Sequence, residues 1–210
     1  ALTLLAVVAL ATAGASWSAG LNLALQSGSW SGPGGVGTGL LVWYDASEAA
    51  SIGLVPHLRY WFDKSGTERD ARPSGPFPSA YATLVSAKPQ VSLPGTPLHL
   101  PSAIAYAPTT IVVVLRSPAS TAVLPLVGSS SSTNGIAVDA SRIRVYGNNS
   151  SLLSTTFGSV VGDCLVTVRM ATSGSNYVSL NGGSELAFTG LPTGTADLVG
   201  GVSAFGIMRA

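Results

Sequence analysis

Tyr177-Val178-Ser179-Leu180-Asn181-Gly182-Gly183-Ser184-Glu185-Leu186-Ala187-Phe188 is the stretch that decides the fold class. Two short runs of strand length flank Asn181-Gly182, a dipeptide that accepts positive φ at both centres of a tight turn. That combination predicts a β-hairpin. Immediately upstream, Leu165–Met170 (LVTVRM) alternates apolar and polar residues with period two, as a half-buried strand does. Ile111–Leu115 (IVVVL) is an unbroken, mostly β-branched run bounded by Pro108 and Pro118. Ile136–Tyr146 reads as two strands around a tight turn at Ala140-Ser141. Ile136, Val138, Ile143 and Val145 then share the dry face, and Arg142 and Arg144 take the wet one. Leu198-Val199 and Phe205–Met208 complete the pattern. Helical spacing with caps is absent after residue 40. About ten short strands punctuated by Gly, Pro and Asn-Gly imply an all-β fold, an antiparallel two-sheet jelly-roll sandwich.

Charge narrows the function classes. The 210 residues include ten Lys/Arg and nine Asp/Glu, for a net charge of +1, while 46% are apolar; mean hydropathy is +0.44. Intrinsic disorder requires low hydropathy and high net charge, the reverse of this composition. Nucleic-acid binding requires a basic face that displaces counterions from phosphates, and ten scattered cations do not form one. Cys164 is the sole cysteine, which excludes an intrachain disulfide and a cysteine zinc site.

The charges are also unevenly placed: no Asp, Glu, Lys, Arg or His precedes Asp45. Residues 1–13 (ALTLLAVVALATA) are almost wholly apolar, and the apolar character continues weakly to Leu25. A membrane helix needs about 20 apolar residues, which this segment reaches only by including Thr, Ser, Gly and Asn. A secretory signal needs a basic start that is not seen here. Residues 1–25 therefore read as an attachment arm buried against other protein, through Leu2, Leu4, Leu5, Val7, Val8, Leu10 and Trp17, with a membrane anchor as the alternative. Residues 26–39 form a Gly/Ser-rich linker carrying Trp30, a candidate for docking onto a neighbour. The folded domain is expected over residues 40–210.

Two motifs at the start of that domain carry a family resemblance. Leu41-Val42-Trp43-Tyr44-Asp45-Ala46-Ser47, followed by Tyr60-Trp61-Phe62-Asp63-Lys64-Ser65-Gly66, resembles the opening of concanavalin A-like domains of the laminin-G-like type. Such domains occur in phage fibre and decoration proteins. The likeness extends over about residues 40–200, through the Pro-containing stretch after Arg72 and the Asn181-Gly182 hairpin. Two departures stand out. Thr67-Glu68 replaces the usual Asn-Gly after the Ser-Gly turn, and the closing strand is cut to Phe205–Met208. Physically, Asp45 and Ser47 read as turn acceptors where the first strand ends, and Asp63–Gly66 as a type I turn with Gly66 left-handed. Trp43 and Trp61 are expected to pack on each other between the sheets.

Catalysis is not expected. Glycoside hydrolysis needs two carboxylates flanking the scissile bond, which the glucanase branch of the resembled superfamily carries as E-x-D-x-E. Glu48, Glu68 and Glu185 are each isolated here. Glu68 and Asp70, beside Arg69 and Arg72, read as a surface salt-bridge cluster. His57 and His99 lack a nucleophile elbow to serve, and Cys164 reads as a buried, inert thiol. No cofactor is expected. The resemblance raises calcium on a loop rim, with Asp139, Asp163 and Asp197 as its candidates, although hydrogen-bonding a turn accounts for each without a metal.

Two function classes follow. The first is a non-enzymatic virion structural protein of a tailed phage (head fibre, capsid decoration or tail-associated spike) at the particle surface. Its partners would be copies of itself, as in a trimer, and capsid or tail proteins, with host-surface polysaccharide as the contacted ligand. The second is a secreted or membrane-anchored bacterial glycan-binding module at the cell surface. In both, the contact rim is expected around Asp63, Lys64, Glu68, Arg69 and Arg72, with a second loop at Ser129–Asn134 contributing Asn134.

Overall fold

A computed structural model describes residues 3–4, 7–11, 40–45, 52–54, 58–73, 81–85, 88–92, 97–117, 122–129, 134–147, 150–190, 192 and 194–200. Among these, every regular element is a β-strand and all pairing is antiparallel. The first part of the chain gives β1 (Thr3–Leu4), β2 (Val7–Ala11), β3 (Leu40–Asp45), β4 (Ile52–Leu54), β5 (Leu58–Trp61), β6 (Arg72–Pro73), β7 (Tyr81–Val85), β8 (Lys88–Ser92) and β9 (Leu98–Ala105). The second part gives β10 (Thr109–Ser117), β11 (Leu124–Gly128), β12 (Gly135–Val138), β13 (Arg142–Gly147), β14 (Ser150–Thr156), β15 (Gly162–Met170), β16 (Asn176–Leu180), β17 (Leu186–Phe188) and β18 (Thr195–Val199).

The strands form two large sheets and one small one. The first large sheet runs β17-β16-β15-β10-β1-β8-β7, with β2 lying between β10 and β3; the second runs β14-β13-β12-β11-β18-β9-β6. β4 and β5 pair separately. Alternation in sequence becomes rows in space. Ile111, Val113 and Leu115 of β10 sit opposite Val168, Val166 and Cys164 of β15, and all six are buried. Ile136, Val138, Ile143 and Val145 from the second sheet are fully buried in the same hydrophobic cluster. One core is thus shared by both large sheets, the arrangement of a sandwich.

The expected hairpins form. Val138 pairs with Ile143 around a turn in which Asp139 Oδ1 accepts the Ser141 amide at 3.0 Å. Asn181 and Gly182 take φ of 53° and 69°, and the Gly183 amide closes the turn on the Leu180 carbonyl at 2.9 Å. The Asn181 side chain also reaches across to accept the Leu165 amide at 2.8 Å, tying the hairpin to the next strand. Phe205–Met208 lies outside the described residues.

The first eleven residues depart from the expected arm. β1 and β2 run antiparallel along β10, from Thr3 opposite Arg116 to Ala11 opposite Thr110. On their other side they pair first with β8 (Leu4 opposite Val91) and then with β3 (Val7 opposite Asp45, Leu10 opposite Val42). Leu4, Val7, Val8 and Leu10 are therefore strand residues paired with β8, β10 and β3. An uncharged apolar segment can be buried by a neighbour or by its own fold, and here its backbone is paired on both edges. Leu2, Leu5, Trp17 and Trp30 lie outside the described residues.

Candidate functional site

The two opening motifs lock together around one carboxylate. Asp63 Oδ1 accepts the amides of Trp43 and Ser65, each at 2.9 Å. Its Oδ2 accepts the hydroxyls of Ser65 and Thr67, each at 2.8 Å, and the Arg69 amide at 3.1 Å. Burial opposes ionisation of Asp63, but the amides of Trp43 and Ser65 and the two hydroxyls outweigh it and hold the carboxyl below its ordinary range. Asp70 in turn accepts the Asp63 amide at 3.0 Å. The Ser65 amide bond to Asp63 and Gly66 at φ 82° give the expected Asx-type turn with a left-handed glycine. Glu68 occupies a second left-handed position, at φ 58°, the place where the resembled motif carries Asn-Gly. A residue with a Cβ pays about 1 kcal/mol or more there.

Three of the six residues expected on the contact rim, Asp63, Lys64 and Arg69, belong to this scaffold. Lys64 Nζ lies 3.3 Å from Asp45, with both side chains almost wholly buried, and 4.1 Å from the centre of the Trp43 ring. Asp45 thus receives the Lys64 side chain, a contact absent from its expected role as a turn acceptor. Arg69 donates to the Leu41 carbonyl at 2.7 Å, to Thr67 Oγ1 at 3.0 Å and to Ser102 Oγ at 2.9 Å. Tyr44 donates its hydroxyl to the Arg69 carbonyl. Burial, with Asp63 and Asp70 nearby, raises that phenol far above its ordinary range. The expected salt-bridge cluster is not seen: among the described residues no ion pair joins Glu68 or Asp70 to Arg69 or Arg72. Backbone and hydroxyl partners outcompete the carboxylates locally. Trp61 is fully buried, but its ring neighbour is Tyr44, at 5.3 Å, whereas Trp43 stacks under Lys64. Residues 43 and 44 of β3 alternate in facing, which puts Tyr44, and not Trp43, in the core.

Asn134 is buried, and its carbonyl accepts the Tyr106 hydroxyl at 3.1 Å, so it supplies no exposed rim. The calcium candidates are likewise engaged. Asp139 pairs with Arg144 at 2.8 Å, and Asp163 binds Arg116 through both oxygens at 2.7 and 2.9 Å. Among the described residues, no three His, Cys, Asp or Glu side chains gather where a metal could sit. Asp139, Asp163 and Asp197 therefore do not make the multi-carboxylate donor set that calcium favours. Cys164 is buried, and burial with Asp163 beside it pushes its thiol up, away from the reactive thiolate. His99 lies in β9 and is half-buried; His57 lies outside the described residues.

What remains exposed is an aromatic face that the sequence reading passed over. Tyr60 and Phe62 flank buried Trp61 on the same chain segment, so both project to the side opposite the core. Their rings stack with centres 5.8 Å apart and planes within 10°, and they are 38% and 39% exposed. Exposed Arg72 lies over the Tyr60 ring at 4.9 Å. The backbone explains this convergence. Trp61 and Ala71 exchange amide bonds of 2.9 and 3.0 Å, which brings Arg72 beside Tyr60. β6 then adds to the edge of the second sheet with Arg72 opposite His99. Of the expected rim, Arg72 joins this face, and Glu68 is exposed on the adjoining loop. The available signal was the spacing: a core tryptophan between two aromatics obliges both to face outward.

Compared with known proteins, the chain matches no family model, no curated protein and no solved structure.

Proposed function

We propose that the chain is a non-enzymatic structural and adhesive protein of a tailed-phage virion, a head fibre, decoration or tail-associated spike. Its jelly-roll-type sandwich carries a saccharide-contact face at Tyr60, Phe62 and Arg72. The observation that carries the reading is the part-exposed, mutually stacked Tyr60–Phe62 pair with the Arg72 guanidinium over the Tyr60 ring. A sugar presents an apolar ring face and a rim of hydroxyls. Stacked aromatic rings cover the first, and Arg72, held in place by its own stacking, donates to the second. One such face binds weakly, and many copies on one particle convert weak contacts into avidity. The scarcity of charge supports display among close neighbours, where apolar surface is covered by other copies. The same face would also serve a secreted or cell-surface glycan-binding module, and the composition of the particle from which the chain is isolated separates the two settings.

Binding of bacterial surface oligosaccharides, screened on an array and quantified by titration, tests the saccharide face. Tyr60→Ala with Phe62→Ala is expected to weaken binding about tenfold or more, equivalent to about 1.4 kcal/mol. The melting temperature should fall by only about 2–4 °C, because the pair lies outside the core and the loss is mainly its mutual stacking. Unchanged affinity in the double variant, or no binding by the wild-type chain across the array, would overturn the reading.

A further inference from the structure

We infer that β1 and β2 are exchanged between copies of this chain, so that each sandwich is completed by residues 3–11 of a neighbour. Four observations carry the inference. First, β1 and β2 fill a slot one strand wide, paired along one edge with β10 and along the other with β8 and then β3. Second, the slot is an interior position of the sheet. Among the described residues β3 has no other partner in it, and the β7–β8 hairpin joins it only through β1. A domain lacking this strand would present open edges on β10, β8 and β3, the template that strand addition uses.

Third, the connection to β3 is far longer than the pairing needs. β2 and β3 are antiparallel neighbours, which a two-residue turn can join. Residues 12–39, 28 in number and eight of them glycine, intervene instead. That length can extend to at most about 100 Å, more than twice the width of a domain of this size. Longer closure also reduces the advantage that a strand's own slot holds over a neighbour's. Fourth, the segment carries no charge, so no like-charge repulsion opposes its insertion in trans, and its pattern fits the slot in either chain. In register, Val8 stands opposite Val113 and Tyr44, and Leu10 opposite Ile111 and Val42, and those four partners are buried. Contacts made in cis and in trans are the same, so local concentration decides, and a multi-copy assembly supplies it. The occupant is a second copy of this chain; the result is subunits interlocked by their first strands.

The test uses two full-length chains of different tag length, co-expressed, each carrying Cys164→Ser. One bears Ala9→Cys and the other Val112→Cys, positions opposite each other in the pairing of β2 with β10. Thiol cross-linking is expected to give a conjugate of one long and one short chain as the main product. Thr3→Cys with Arg116→Cys, opposite each other at the far end of the strand, repeats the test should the first pair fail to fold. The inference is overturned if the mixed conjugate is absent while both cysteines placed in a single chain close within it. It is equally overturned if the wild-type chain is a monomer by light scattering at micromolar concentration. A monomer that still binds saccharide would remove strand exchange and leave the proposed function standing.

Discussion

Deleting residues 1–11 should abolish the cooperative fold. An external arm could be removed from a domain beginning at residue 40 without loss, so this deletion separates the two descriptions sharply. In the structure β1 and β2, within this segment, bridge three parts of the first large sheet: the β10-β15-β16-β17 block, the β7-β8 hairpin and β3. Removing them leaves β3, which carries buried Val42 and Tyr44, without a strand partner in that sheet among the described residues. It also opens the edge of β10 along the rows of Ile111 and Val113. Burying one large aliphatic side chain is worth about 1.5–3 kcal/mol, and several are exposed at once, against a typical total stability of about 5–15 kcal/mol. The truncated chain should aggregate, or melt without a cooperative transition in circular dichroism and calorimetry. A soluble truncation melting at the wild-type temperature would contradict this.

Asp63→Ala should cost about 3 kcal/mol at neutral pH, read from chemical denaturation. The carboxylate accepts five hydrogen bonds, three of them from the backbone amides of Trp43, Ser65 and Arg69. Alanine leaves those donors with only partial access to water, and each unmet group costs about 1–3 kcal/mol where buried. The damage spreads because Asp63 joins β3 to the segment after β5 and so fixes where Arg69 and Arg72 leave the loop. Acid should act in the same direction. The folded state holds Asp63 below the ordinary carboxylate range, and Asp139 is lowered likewise: burial opposes the shift, but Arg144 and the Ser141 amide outweigh it. A folded-state value below the unfolded one means that the unfolded chain takes up protons first. The stabilisation is therefore complete above the unfolded value and is lost as pH falls from about 5 downward through the ordinary carboxylate range. Asp63→Ala should show a shallower loss between pH 6 and pH 3 than the wild type. Equal slopes would remove Asp63 from the acid response.

Local patterns were readable and distant partnerships were not. The alternation in Leu165–Met170 and the Asn181-Gly182 turn are short-range signals, and the strands and hairpin appear where those signals stand. Gly66 was legible for the same reason, since its turn is set by the three residues before it. The destination of an apolar strand is another matter. Val7–Ala11 carries the period of a strand but nothing that selects a neighbour's surface over a slot between β3 and β10, some 30 and 100 residues away. Several of the expected rim residues are drawn into the scaffold for a related reason. Charged side chains in a polar loop look exposed, yet Lys64 is buried against Asp45 and Trp43, and Arg69 is spent on the Leu41 carbonyl. The aromatic face was within reach of the sequence, because a buried Trp61 forces Tyr60 and Phe62 outward together. What the sequence could not show was Arg72 arriving across the Trp61–Ala71 bridge to complete the face.

The central structural claim is that the first strand segment is an interior member of the sheet, whichever copy supplies it. Amide hydrogen exchange of the full-length chain, read by mass spectrometry on peptides covering residues 1–15, addresses it directly. The account predicts protection of residues 7–11 comparable with that of Ile111–Leu115 in β10 and Leu165–Met170 in β15. Exchange of those amides at the rate of an unstructured peptide, with β10 and β15 still protected, would contradict it.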